Sequence, residues 1–355
     1  MDIKNIDKNF IAENVKEPDV VWHSVKEDPF KIYGVFYDEE YGGYLRLPKS
    51  VATATSGGVA VLSESTAGGR IRFKTDSKYV AVKCYGSTTI GIMHHMPICG
   101  TFGIAYFSDG IFKGHVTPTA NAVENPIDGK ICFDGKRNLD GKLHEIELYF
   151  PLYNGMKEIY VGLAEGCSVL PPEPYKHEGY VLFYGSSITQ GGCASHSGND
   201  YVSIISRTLN TDVLNLGMSG SARGEKAIAE YMANLSPSVY VLDYDYNAND
   251  AQHLKETHLP LYRAIREKHK DTPIIFISNP NFNNPPDDVR RREVILDTYR
   301  ISLEEGDKNT AFIDGEHLFG AEYKNYCTMD TIHPNDLGFY RMAVGIAPVV
   351  KKYLK

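Results

Sequence analysis

The chain has 355 residues, enough for two domains of ordinary size. Its net charge of −8, without a cluster of Lys and Arg, argues against nucleic acid as a partner. Apolar residues make up 42% and charged residues 23%, with no apolar run near the ~18 residues of a membrane span, so no membrane partner is expected either. Six cysteines (Cys84, Cys99, Cys132, Cys167, Cys193 and Cys327) form no C-x-x-C pair, and the first residues, Met1–Pro18, contain no signal-peptide core. The expectation is a cytoplasmic protein with reduced structural thiols and no cysteine-based metal site.

Residues 1–45 hold turn signals at Glu17-Pro18 and Asp28-Pro29 and an aromatic-rich stretch, Phe30–Tyr37. From Leu45 to about Gly166 the pattern reads as β throughout. Gly69–Thr75, Tyr79–Tyr85, Ile131–Phe133 and His144–Phe150 are strand signals, several with period-two alternation. Turns are expected at Gly57-Gly58, Gly68-Gly69, Asp109-Gly110, Asp128-Gly129, Asp134-Gly135 and Asp140-Gly141. Short strands with frequent turns and no amphipathic helix predict a β-sandwich or jelly roll. Leu170–Tyr175 places three prolines in four positions, which neither a central strand nor a helix interior accommodates. It divides the chain into residues 1–172, a β-sandwich module of carbohydrate-binding or lid type, and residues 173–355.

Beyond this boundary strand and helix alternate. Strands are expected at Tyr180–Tyr184, Asp212–Leu216, Val239–Tyr244, Pro273–Ser278 and Thr310–Asp314. Helices are expected at Tyr201–Leu209, Glu225–Asn234, His253–Lys270, Arg290–Glu305 and Leu337–Tyr353. Five apolar strands alternating with helices predict a parallel sheet covered on both faces. Gly217–Lys226 fails as a phosphate loop because Glu225 interrupts the Gly-Lys pair. Asp243-x-Asp245-x-Asn247 fails as a calcium loop because Ala248 and Leu254 stand where Gly and Glu are required.

The chemistry gathers where strands end. Tyr180–Tyr184 breaks into Gly185-Ser186-Ser187, at the sheet edge where open α/β folds bind ligands. Asp330-Thr331-Ile332-His333 precedes the last helix. An Asp and a His at this spacing share one turn, the carboxylate holding one imidazole nitrogen while the other faces a serine hydroxyl, which needs a base to act as a nucleophile. The second strand ends in Leu216-Gly217-Met218-Ser219-Gly220 and the third in Tyr246-Asn247. The backbone N–H groups of Gly220 and Ser187 and the Asn247 amide are candidate oxyanion donors. As substrate contacts the sequence offers His94, His95 and Asn279, with His196 in the loop after the nucleophile and Trp22 left without a function.

These blocks, Gly185-Ser186-Ser187, Asn215–Gly220, Tyr246-Asn247 and Asp330-x-x-His333, occur in an order that resembles the SGNH (GDSL-type) hydrolase family across roughly residues 178–355. The front half resembles the GxDLY β-sandwich module of one bacterial branch, through Ala67–Ser77 and Gly100–Tyr106. The resemblance implies a three-layer α/β/α sandwich, with Ser187 as nucleophile, His333 as base, Asp330 as the orienting acid and Gly220 with Asn247 as oxyanion donors. Three departures stand out. Ser186 replaces the Asp of G-D-S. Asn247 is followed by Ala248, while Asn249-Asp250 offers a competing pair. Gly103-Ile104-Ala105-Tyr106 lacks the Asp of the front-module signature.

The function implied is a serine esterase that needs no metal or organic cofactor and removes small acyl groups, acetyl foremost, from a carbohydrate. Its partner is a small-molecule or oligosaccharide ester; the sequence leaves the oligomeric state open. Two alternatives stand beside it: an acyltransferase on the same scaffold, and a carbohydrate-binding protein with a decayed triad.

Overall fold

The computed structural model describes residues 15–127 and 129–355. The front half packs two antiparallel sheets. One orders Val20–Ser24, Gly155–Ala164, Tyr79–Ser87 and Ile131–Asn138. The other runs from Val169–Leu170 through Arg70–Thr75, His144–Tyr149 and Ile104–Ser108 to Ile111–Val116, with Lys31–Tyr33 also paired to Arg70–Thr75. Ile71, Phe73 and Leu148 from one sheet meet Val80, Val82 and Val161 from the other in a closed core. This is the expected β-sandwich.

Asp109-Gly110 is the tip of a hairpin, both residues at positive φ (52° and 74°), as a two-residue turn matching strand twist requires. Two local expectations are corrected. Asp134-Gly135 lies inside the strand Ile131–Asn138, where the Asp134 carboxylate accepts the Val15 N–H; pairing overrides the turn preference. Gly57-Gly58 opens a helix, Gly57–Leu62, capped by the Ser56 hydroxyl, and a further helix spans Lys49–Thr55, so this segment is not β throughout. Ile98–Thr101 and Ala120–Glu124 are shorter helices. The turn read at Asp128-Gly129 falls partly on Asp128, outside the described residues.

The back half is a five-stranded parallel sheet. Its order is Asp212–Gly217, Tyr180–Gly185, Val239–Asp243, Ile274–Ile277, Thr310–Ile313. Alternation on the first strand sends Val181 and Phe183 to one face and Leu182 and Tyr184 to the other. The helices Tyr201–Leu209 and Asp336–Lys351 cover the first face. Helices Lys226–Ala233, Ala251–Lys268 and Pro285–Glu304 cover the second. This is the three-layer α/β/α sandwich. The helix expected to start at Arg290 begins at Pro285, because proline at the first helical positions loses no hydrogen bond.

Segments of the front half enter the core of the back half. Leu47, Ala52, Val59 and Leu62 join the apolar cluster on one face of the parallel sheet; Ala67, Met96, Leu152 and Tyr153 join the other. All six cysteines are free thiols. Among the described residues no helix is long and apolar enough to cross a membrane.

Candidate active site

The first strand ends at Gly185 and the chain turns directly into a short helix, Ser187–Gln190. Ser186 caps it: its Oγ accepts the Ile188 N–H at 3.1 Å. Serine and aspartate are both strong N-caps, so Ser186 fills the capping role open to the Asp of the family pattern. The helix lies hard against the second strand. A Cβ on Gly217 would collide with the backbone of Thr189 and Gln190, so the glycine is required there. Asn215, buried on the same strand, binds the helix through Nδ2 to the Thr189 carbonyl at 2.7 Å, and its Oδ1 accepts the Gly217 N–H. From the third strand, buried Asp243 accepts hydrogen bonds from Thr189 Oγ1 (3.2 Å) and Tyr201 Oη (2.9 Å). Burial drives the Asp243 carboxyl far above its ordinary pKa.

Ser187 is 7% exposed and its Oγ lies 2.9 Å from His333 Nε2. His333 Nδ1 lies 2.7 Å from Asp330 Oδ2. The other carboxylate oxygen, Oδ1, accepts the backbone N–H groups of His333 (2.7 Å) and Ile332 (3.1 Å). Burial pushes the Asp330 carboxyl up, but these hydrogen bonds and the neighbouring His333 outweigh it and hold it below the usual range. The loop is anchored by Met329 N–H donating to the His333 carbonyl and by a bridge between Thr328 and Pro334. Thr331 is forced into the left-handed region at φ 71°, and its carbonyl accepts from both Asn281 Nδ2 (2.7 Å) and Asn283 Nδ2 (3.1 Å).

The three expected oxyanion donors all carry N–H groups available for an acceptor. Ser187 holds the first helical position, where the N–H has no intrahelical acceptor. Gly220 sits in the second turn at φ 66°, its N–H unpaired among the described residues. Asn247 ends a single 3-10 turn after the third strand, its Oδ1 accepting the Ala222 N–H at 3.3 Å and its Nδ2 unpaired among the described residues. Of the competing pair, Asp250 caps the helix Ala251–Lys268 through the His253 N–H, and Asn249 is exposed. Ala248 is buried in the apolar cluster.

The substrate-contact residues divide. His95 comes close to the triad, its ring 5.7 Å from that of His333, with burial and then the nearby imidazole lowering its pKa. His94 is exposed, 5.0 Å beyond. Asn279 is buried, its Nδ2 committed to the Asn281 carbonyl and Asp288 Oδ1, so it supports the strap of Asn281–Asn283 from behind. His196 stacks on Phe112 at 3.8 Å, and Trp22 packs among Val20, Tyr79 and Ala164.

Two family profiles account for most of the sequence. One, the GDSL-like lipase/acylhydrolase family, matches residues 178–351; the other, the GxDLY N-terminus of SGNH-hydrolase-type esterases, matches residues 20–169. The back half of the chain, residues 178–351, belongs to the GDSL-like lipase/acylhydrolase family. Among solved structures, a protein described as a GDSL-like lipase from Bacteroides ovatus is 26% identical at a TM-score of 0.82, over 95% of this chain and 99% of that one. A salicylyl-acyltransferase from a tetracycline biosynthetic pathway is 18% identical at 0.76, over 96% and 100%. A family two carbohydrate esterase from Clostridium thermocellum, in complex with cellohexaose, is 15% identical at 0.63, over 91% and 98%. The last two show the shared fold. Among curated proteins no sequence match was found.

In this acylhydrolase the front module reaches the site through residues the sequence did not single out. Arg46 is fully buried and has no carboxylate partner among the described residues; its guanidinium donates to the carbonyls of Leu62, Ser65, Asn215 and Gly217. Burial lowers its pKa to about 9. Tyr153 Oη donates to the Ser187 carbonyl (3.3 Å) and Asn154 Oδ1 accepts the N–H groups of Thr89 and Ile90, tethering the segment that carries His94 and His95. Gln190 spans the halves, donating to the Leu152 carbonyl and accepting the Ser219 N–H. A lone Arg, Tyr or Asn in a β segment carries no pattern that marks such a contact.

Proposed function

We propose that the protein is a serine esterase acting on small acyl esters, acetyl foremost, of a carbohydrate. The observation that supports this reading is the continuous chain Ser187 Oγ···Nε2 His333 Nδ1···Oδ2 Asp330, at 2.9 and 2.7 Å. Ser187 Oγ attacks the ester carbonyl as its proton passes to His333 Nε2. Asp330 holds Nδ1–H and stabilises the imidazolium. The tetrahedral oxyanion faces the N–H groups of Ser187 and Gly220 and the Asn247 amide. Collapse expels the alcohol, which takes the proton from His333 and leaves Ser187 acylated. Water, deprotonated by His333, then releases the acid and regenerates Ser187. The sugar assignment draws on the Clostridium thermocellum carbohydrate esterase solved in complex with cellohexaose, with His94 and His95 lining the mouth as substrate contacts.

The same acyl-enzyme supports transfer to an alcohol, as the name of the salicylyl-acyltransferase describes for that protein. Supplying a sugar hydroxyl acceptor during turnover separates the two: hydrolysis yields free acid, transfer a new ester. With an aryl acetate or an acetylated oligosaccharide, Ser187→Ala and His333→Ala are each expected to lower turnover by about 10⁴–10⁶. Full turnover in Ser187→Ala contradicts the assignment. Saturable oligosaccharide binding without any turnover in the native chain favours a decayed triad.

A further inference from the structure

His333 is crowded by two groups that acyl transfer does not require. The thiol of Cys193 and the ring of His95 lie beside it, and one ligand atom from each of the three residues falls within 4.8 Å of the others. They come from three parts of the chain: the Asp330–His333 loop, the turn after the nucleophile helix, and the front-module segment tethered by Asn154. Cys193 is buried and adopts a left-handed backbone at φ 72°, a conformation that costs a non-glycine residue energy. His95 Nδ1 is buried and has no hydrogen-bond partner among the described residues. A buried, unpaired imidazole nitrogen is a lone pair or a proton awaiting an acceptor or a metal.

Two imidazoles and a thiolate are the donors of a zinc ion with one open position; magnesium and calcium prefer oxygen. His333 Nδ1 is already held by Asp330, which leaves Nε2 as the metal-facing atom and makes Asp330 the carboxylate partner that metal-bound histidines commonly carry. Zn–N and Zn–S bonds of roughly 2.0–2.3 Å place tetrahedral ligands about 3.3–3.6 Å apart, so closure asks for a contraction of at most about 1.5 Å.

We propose that His95, Cys193 and His333 bind Zn²⁺, and that occupancy reversibly inhibits the enzyme by taking the lone pair on His333 Nε2 that Ser187 uses. On binding, the thiol proton leaves to solvent, the Ser187 Oγ···Nε2 hydrogen bond breaks, and water fills the fourth position. The thiol has to give up its proton to bind, so occupancy is expected to fall at low pH and chelators to strip the metal. The inhibition rests on His333 acting as the base; the binding does not.

The test titrates the chelator-treated full chain with ZnCl₂ by calorimetry and follows ester turnover in parallel. One zinc per chain is expected, with turnover lost in step with occupancy and restored by EDTA, and no effect of Mg²⁺. Cys193→Ser should keep its zinc-free turnover while zinc affinity falls at least about tenfold; His95→Ala should lose affinity likewise. Co²⁺ should give a thiolate charge-transfer band that Cys193→Ser abolishes. Absence of zinc binding, wild-type affinity in both variants, or activation by zinc overturns the proposal. If the protein turns over no ester, calorimetry and the Co²⁺ band still decide the site by themselves.

Discussion

Asn247 and Asn249 stand two residues apart, and the physical difference between them is what each amide is free to do. Asn247 turns its Oδ1 to the second loop and leaves Nδ2 unpaired among the described residues. Asn249 is exposed, beside a helix cap. Asn247→Ala is expected to reduce ester turnover by roughly 10²–10³, with Asn249→Ala near wild type; the reverse order moves the oxyanion donor. Asp245 gives a separate test. Burial pushes its carboxyl up to about 7, against the Asn279 N–H and the Arg291 charge that pull it down. In the unfolded chain it titrates near ~3.9, so the folded state binds the extra proton between these values. Its contribution to stability is whole below pH ~4 and fades as pH rises through about 7. Asp245→Asn should therefore gain in melting temperature relative to wild type from pH 4 to pH 8; an offset that does not change with pH contradicts this. Ser187 stood out at the end of a strand, and Asp330 and His333 as a D-x-x-H pair before the last helix, because a serine nucleophile needs a base and a carboxylate to orient it. The capping role of Ser186 did not, since a serine beside the nucleophile reads as a rival until the Ile188 N–H bond is visible.

At the scale of elements, the Asp330–His333 loop is a strained turn held from outside. Thr331 adopts φ 71° and two asparagines from the loop after the fourth strand clamp its carbonyl. Removing both, as Asn281→Ala with Asn283→Ala, should loosen the Asp330–His333 turn and lower kcat by about 10–100-fold, with little change in melting because these bonds lie at the surface. Unchanged kcat would make the clamp incidental. Periodicity located all five parallel strands and their helices, because apolar runs and 3.6-residue stripes report burial directly. It missed the helices at Lys49–Thr55 and Gly57–Leu62, whose Val, Thr and Gly content favours other states and whose helical form depends on packing against the parallel sheet's helices.

At the scale of the molecule, the β-sandwich is built into the catalytic half. Arg46 ties four carbonyls from both halves, with no counter-charge among the described residues. Arg46→Met keeps much of the volume and leaves those acceptors buried, so a loss of roughly 2–4 kcal/mol is expected in denaturant unfolding. A change within about 0.5 kcal/mol would show that Arg46 contributes nothing to joining the halves. The sequence displayed the proline-rich break between the halves, yet contacts such as Arg46 to Gly217 or Tyr153 to Ser187 join positions with no local pattern in common. The central claim, an activated Ser187, is tested most directly by reacting the protein with a fluorophosphonate and sequencing the labelled peptide by mass spectrometry. The predicted result is a single adduct on Ser187 that disappears in His333→Ala. An unlabelled protein, or an adduct on Ser186, would contradict it.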